Sequence, residues 1–99
     1  MRIPEKVKIG GCDYKVRQEK NPKCDGRKVC GYVEHDKLLI HIDESLPIQR
    51  QTRTLMHESL HAVAADRQVN ISEHNIRLLA DGLLAFLRDN DLLKEGDEA

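Results

Sequence analysis

Thr54-Leu55-Met56-His57-Glu58-Ser59-Leu60-His61-Ala62-Val63-Ala64-Ala65 is the stretch on which the fold of this chain turns. It contains no glycine or proline, and between Leu55 and Ala65 its only polar side chains are His57, Glu58, Ser59 and His61. The apolar side chains point in almost every direction around a helix, so this helix is expected to be buried on most sides. Upstream, Ser45 lies ahead of the glycine-free run 46–67, with Pro47 inside the first turn, where its missing N–H costs nothing. A helix over Leu46 to Arg67 follows.

Residues four apart on a helix differ by about 40° in direction, so His57 and His61 stand one above the other and can hold one metal ion through two imidazoles. Glu58 lies about 60° from His61 on the same flank. It can approach a metal-bound water without being a ligand, the placement that a general base needs in metal-assisted hydrolysis. Two imidazoles and a carboxylate on a buried helix cost several kcal/mol if unsatisfied, roughly 2–7 for each polar group, and a divalent cation satisfies all three. On the plainer reading the histidines are ordinary helix residues bonded to carbonyls or water.

Outward from this helix the chain divides simply. Val7 and Ile9 before Gly10-Gly11, then Cys12, Tyr14 and Val16 after it, alternate as a hairpin turning on glycines. Residues 18–28, with Asn21-Pro22 and Asp25-Gly26, read as an exposed loop. Strands follow around Val29 to Glu34 and Leu38 to Ile42, with a tight turn at His35-Asp36. Downstream, Ser72 caps a second helix that carries Ile76, Ala80, Leu83 and Leu87 on one face, widened by Leu79 and Leu84, and ends near Asn90. The pattern predicts a single α+β domain over residues 1–93, a small antiparallel sheet packed on the helix of His57, and a polar frayed tail over 94–99.

Ninety-nine residues allow one core. A net charge of −1 and three aromatic residues supply neither a basic stripe nor stacking platforms, so nucleic acid is not the favoured partner. The opening Met1-Arg2-Ile3-Pro4-Glu5-Lys6 lacks the apolar core of a signal peptide, and no stretch reaches the length of a membrane span. A soluble, cytoplasmic protein is expected, with no membrane partner. Cys12, Cys24 and Cys30 cannot all pair within one chain and read as reduced thiols.

Thr54 to Ala62, together with Ile71-Ser72-Glu73, Leu79-Ala80-Asp81-Gly82-Leu83, Leu87-Arg88-Asp89-Asn90, the opening Ile3-Pro4 with Ile9-Gly10-Gly11, and Ile42-Asp43-Glu44-Ser45-Leu46-Pro47, resembles the small phage- and prophage-encoded zincin-like proteins that are distant relatives of ImmA/IrrE-type metallopeptidases. The resemblance implies a minimal zincin fold, a Zn2+ ion, a peptide or protein substrate, a bacterial host cytoplasm, and a third ligand from the second helix. Asp81 is the first choice for that ligand: it lies twenty residues after His61, a spacing similar to that of thermolysin-type gluzincins. Glu73 is the rival, since it stands in the first turn about 60° from Ile76, whereas Asp81 is about 140° away; in its plainer role it complements the helix N-terminus. Arg77, four residues from each, either pairs with them or opposes a metal.

His41, on a strand that would offer its edge to an extended substrate, is a half-exposed strand residue or an orienting group. His35 and His74 read as turn and helix-surface residues. Cys24 and Cys30, with five residues between them, are too far apart for an ordinary zinc knuckle. The expected function is peptide-bond hydrolysis by a zinc-bound water with Glu58 as general base and His57, His61 and Asp81 or Glu73 as ligands; the alternative is a non-catalytic, metal-holding adaptor that binds a host or phage protein.

Overall fold

In the computed structural model, which describes residues 2–93, the chain opens with β1 (Lys6–Ile9) and β2 (Cys12–Glu19), paired antiparallel across Gly10-Gly11. Both glycines have positive φ, 58° and 83°, as a two-residue turn with the twist of a hairpin requires. Residues 18–28, expected as a loop, instead extend β2 to Glu19 and form a miniature hairpin of β3 (Lys23–Cys24) and β4 (Arg27–Lys28). Asp25-Gly26 supplies its turn, again with both φ values positive.

β5 (Gly31–Glu34) and β6 (Leu39–Asp43) complete a four-stranded sheet of order β1-β2-β6-β5. This sheet is mixed rather than antiparallel throughout, because β6 runs parallel to β2 and antiparallel to β5. Alternation fixes which face a residue takes but not the direction of its neighbour, and segment 20–38 exceeds the dozen or so residues that a parallel crossover needs. β6 is therefore an interior strand, and all five of its residues are buried. The expected substrate-facing edge on Leu38 to Ile42 does not exist; β5 is the edge on that side.

Ile40 and Ile42 on one face of β6 pack with Ile3, Ile9, Tyr14, Leu55 and Ala62 into the core. α1 (Ile48–Arg67) lies across this face. Its start differs from expectation: Pro47 occupies the cap and no side chain caps the helix. Ser45 is held one step earlier by Asp43, whose Oδ1 accepts both its hydroxyl (2.6 Å) and its N–H (2.9 Å). These bonds hold the Asp43 carboxyl below the ordinary range. The buried Gln51 amide fixes the first turn by donating to the carbonyls of Glu44 and Leu46. At the other end Gln68, in the left-handed region, closes α1.

α2 (Glu73–Asp89) begins as expected, with Ser72 Oγ accepting from the Asn75 N–H. It returns antiparallel along α1 and buries Ile76, Ala80 and Leu84. The buried stripe is narrower than its apolar face: Leu78, Leu79, Leu83 and Phe86 are exposed, because α2 has a helix and not the sheet to lie on. α1 is likewise less enclosed than its sequence suggests, with Val63 and Ala65 exposed beyond the reach of either neighbour. No helix among the described residues is long and apolar enough to cross a membrane. The expected tail 94–99 lies outside the described residues.

Candidate metal centre

α1 stacks His57 and His61 one turn apart, ring centroids 4.9 Å from each other and edge to face. Their Nε2 atoms approach to 3.2 Å. From the first turn of α2 comes Glu73, whose Oε2 lies 2.7 Å from His57 Nε2 and whose Oε1 lies 2.9 Å from His61 Nε2. The three candidate ligand atoms fall within 4.8 Å of one another.

The donor set fits a divalent cation. Ligands about 2.0–2.1 Å from a tetrahedral zinc are about 3.3 Å apart, close to the separation of the two imidazole nitrogens. Without an ion, Glu73 accepts from both rings only if both Nε2 atoms carry hydrogen, and two N–H groups then converge on each other. A cation replaces both protons and removes that conflict. Glu73 is more than half exposed, so its carboxylate can move by the few tenths of an ångström that coordination asks.

Glu58, next to His57 on the same helix, is 9% exposed. Its carboxyl is pushed up to about 8, first by burial and then by the Glu73 charge. Among the described residues it has no hydrogen-bond partner. It is thus a carboxyl that can take up and return a proton near neutrality, opening on the groove that holds His57, His61 and Glu73.

Asp81 lines the same groove but stands apart from the cluster, two turns farther along α2, about 12 Å. It forms an ion pair with Arg53, Nε to Oδ1 3.4 Å. The short connection 68–72 makes α2 double back on α1, so the first turn of α2 meets His57 and His61 and later turns meet the N-terminal half of α1. Arg77 also lines the groove and is paired with neither Glu73 nor Asp81.

No protein-family model, curated protein or solved structure matches this chain. The chain's own geometry therefore carries the assignment of roles.

The groove encloses about 680 Å³. Its floor is α1, from Arg50 to His61; one wall is β5 with the residues before it, and the other is α2. A second hollow of about 610 Å³ between the helices shares Arg53 and Asp81 but contains no histidine. Gly31 brings the β5 wall close: a methyl there would sit 2.5 Å from the His41 carbonyl oxygen and from Thr54 Cγ2. The sequence pattern did not single out this glycine, although a glycine within a strand is a signal of close backbone approach.

His41 is neither half-exposed nor part of this groove. It is 4% exposed and stacks on Tyr32 at 4.1 Å. Its Nδ1 lies 2.6 Å from Glu19 Oε1 and its Nε2 2.7 Å from Glu34 Oε2. The His41 bond is the main cause that lowers the Glu34 carboxyl. His35 and His74 are exposed, on a turn and on the surface of α2, as the sequence implied. The three cysteines are free thiols; Cys24 and Cys30 border the groove.

Proposed function

We propose that this protein is a zinc-dependent peptidase in which His57, His61 and Glu73 hold the metal and Glu58 handles the proton. The observation that carries the reading is the convergence of two imidazole Nε2 atoms and one carboxylate on a single point, beside a buried carboxyl with no other partner. The likeness of the sequence to small phage and prophage zincin-like proteins supports the same chemistry. When bound, zinc would polarise the scissile carbonyl and make water more acidic.

The chain's own residues do the rest. Glu58 takes the proton of the attacking water as the water oxygen bonds to the carbonyl carbon, and returns it to the amide nitrogen as the C–N bond breaks. The free edge of β5 supports an extended substrate by strand pairing. Glu73 is favoured over Asp81 as third ligand because its oxygens already meet both rings.

Elemental analysis of untagged protein tests the site. About one zinc per chain is expected, lost in His57→Ala and Glu73→Ala and kept in Asp81→Ala. No zinc in the parent after reconstitution overturns the proposal, and loss with Asp81 instead of Glu73 overturns the ligand set.

A second reading, a metal-holding adaptor that binds a host or phage protein without cleaving it, is favoured by the exposed Leu78, Leu79, Leu83 and Phe86 on α2. Absence of cleavage in a proteome-wide screen, with a stoichiometric partner retained, would select it.

A further inference from the structure

The cations of the groove are unevenly committed. Lys28, Arg50, Arg53 and Arg77 all line it. Arg53 is neutralised by Asp81, and the charge of Lys28 also acts on Asp43. Arg50 and Arg77 have no carboxylate partner among the described residues; the one polar contact of Arg50 is a weak one, Nη2 to Cys30 Sγ at 3.8 Å. Of the three carboxyl groups of the groove, Asp81 is paired with Arg53, Glu73 is turned to the imidazoles, and Glu58 is buried beside His57 and bonded to neither arginine. Two exposed guanidiniums, one on the floor and one on the α2 wall, therefore face the groove unbalanced, and a bound dication would add to the same sign.

Their positions relative to the imidazoles are regular. Arg50 precedes His57 by seven residues on α1, about 10 Å along the helix axis. Arg77 follows Glu73 by one turn of α2, about 6 Å, and because the helices are antiparallel it lies on the same side of the imidazoles as Arg50. An extended peptide advances about 3.3 Å per residue, so these displacements correspond to about two and three residues of substrate. Guanidinium offers a planar fork matched to a carboxylate, and pairing within a partly enclosed groove is stronger than on an open surface.

Resting on the peptidase reading, we infer that the groove selects acidic peptides, with Arg50 and Arg77 binding carboxylate side chains two to three residues to one side of the scissile bond. The two arginines are specificity residues and make no contact with the reacting atoms.

Binding and cleavage are tested apart. Fluorescence anisotropy is measured on zinc-loaded Glu58→Gln protein with fluorescein-labelled peptides of about ten residues in which Glu alternates with Ala, and with counterparts carrying Gln or Lys in place of Glu. The Glu peptide is expected to bind about tenfold tighter than the Gln peptide, with that margin shrinking as salt rises. Adding Arg50→Gln and Arg77→Gln together should reduce the Glu peptide to the Gln level while zinc per chain is unchanged. Equal binding of Glu and Gln peptides, a preference that survives the double substitution, or no binding of any peptide overturns the inference. Hydrolysis of the same peptides by wild-type protein reports on the other reading: cleavage without charge preference sinks the inference alone, and charge-selective binding without cleavage sinks the peptidase alone.

Discussion

His41 on one side of the molecule and the His57–His61 pair on the other contrast in how many acceptors each ring has. His41 has two carboxylates to one imidazole, one on each ring nitrogen, and is buried in the sheet. His57 and His61 share one carboxylate between two imidazoles, at the edge of a groove. A ring with both nitrogens engaged by carboxylate oxygens leaves neither nitrogen open to a metal. Two rings turned on one carboxylate have fewer oxygen partners than ring nitrogens. The ratio of acceptors to rings, more than the presence of histidine, separates a residue that holds the sheet from residues that could hold an ion.

Substitution on each side sharpens the contrast, beginning with the groove. Glu58→Gln should lower hydrolysis by about 10²–10⁴-fold with zinc content and fold retained, read by steady-state cleavage and elemental analysis. Full activity with metal bound would remove Glu58 from the chemistry.

On the sheet side the pattern reverses. His41→Ala empties a buried ring site stacked on Tyr32 and takes away the shared partner of Glu19 and Glu34, and we expect a loss of about 2–4 kcal/mol in denaturant unfolding with His57, His61 and Glu73 untouched. His57→Ala in the metal-free protein should cost within about 1 kcal/mol. Similar losses for the two would erase the distinction.

The pH dependence of the metal-free protein belongs to Glu58. Its folded value of about 8 lies above the ordinary 4.5, so the folded state retains a proton that the unfolded chain has released. Stability therefore falls as pH rises from about 4.5 to about 8 and is level above that, by ~5 kcal/mol in all. Denaturation at pH 5 and pH 9 should show this slope in the parent and its near absence in Glu58→Gln. The smallest effect is expected at Asp81→Asn, which breaks a half-exposed ion pair with Arg53 for no more than about 1 kcal/mol and leaves zinc in place.

Much of this was legible before any coordinates. Gly10-Gly11 is local turn chemistry and Ser72 ahead of Glu73 is a local cap, so the sequence carries them directly, whereas the strands around Asp25-Gly26 are two residues each and carry too little alternation to be told from a loop. The parallel pairing of β2 with β6 depends on where a long crossover lands, which alternation does not encode. Burial of His41 was hidden for the same reason, since its partners Glu19 and Glu34 come from the two strands flanking β6. The histidines of the groove were legible because one helix holds both. Their third partner was not fixed: spacing pointed to Asp81 and helix periodicity to Glu73, and only the antiparallel return of α2 brings one of them to the rings.

That return has a thermodynamic consequence. Among the described residues α2 packs chiefly on α1, through Ile76, Ala80 and Leu84, and it carries Glu73. An ion shared by Glu73 and the two imidazoles would be a clasp between the helices, and occupancy of the site and docking of α2 would then be a linked equilibrium. Each tenfold excess of free ion over its dissociation constant adds about 1.4 kcal/mol to the docked state. Substitutions at Ile76 or Leu84, which are not candidate ligands themselves, would weaken ion affinity by whatever fraction of α2 they release.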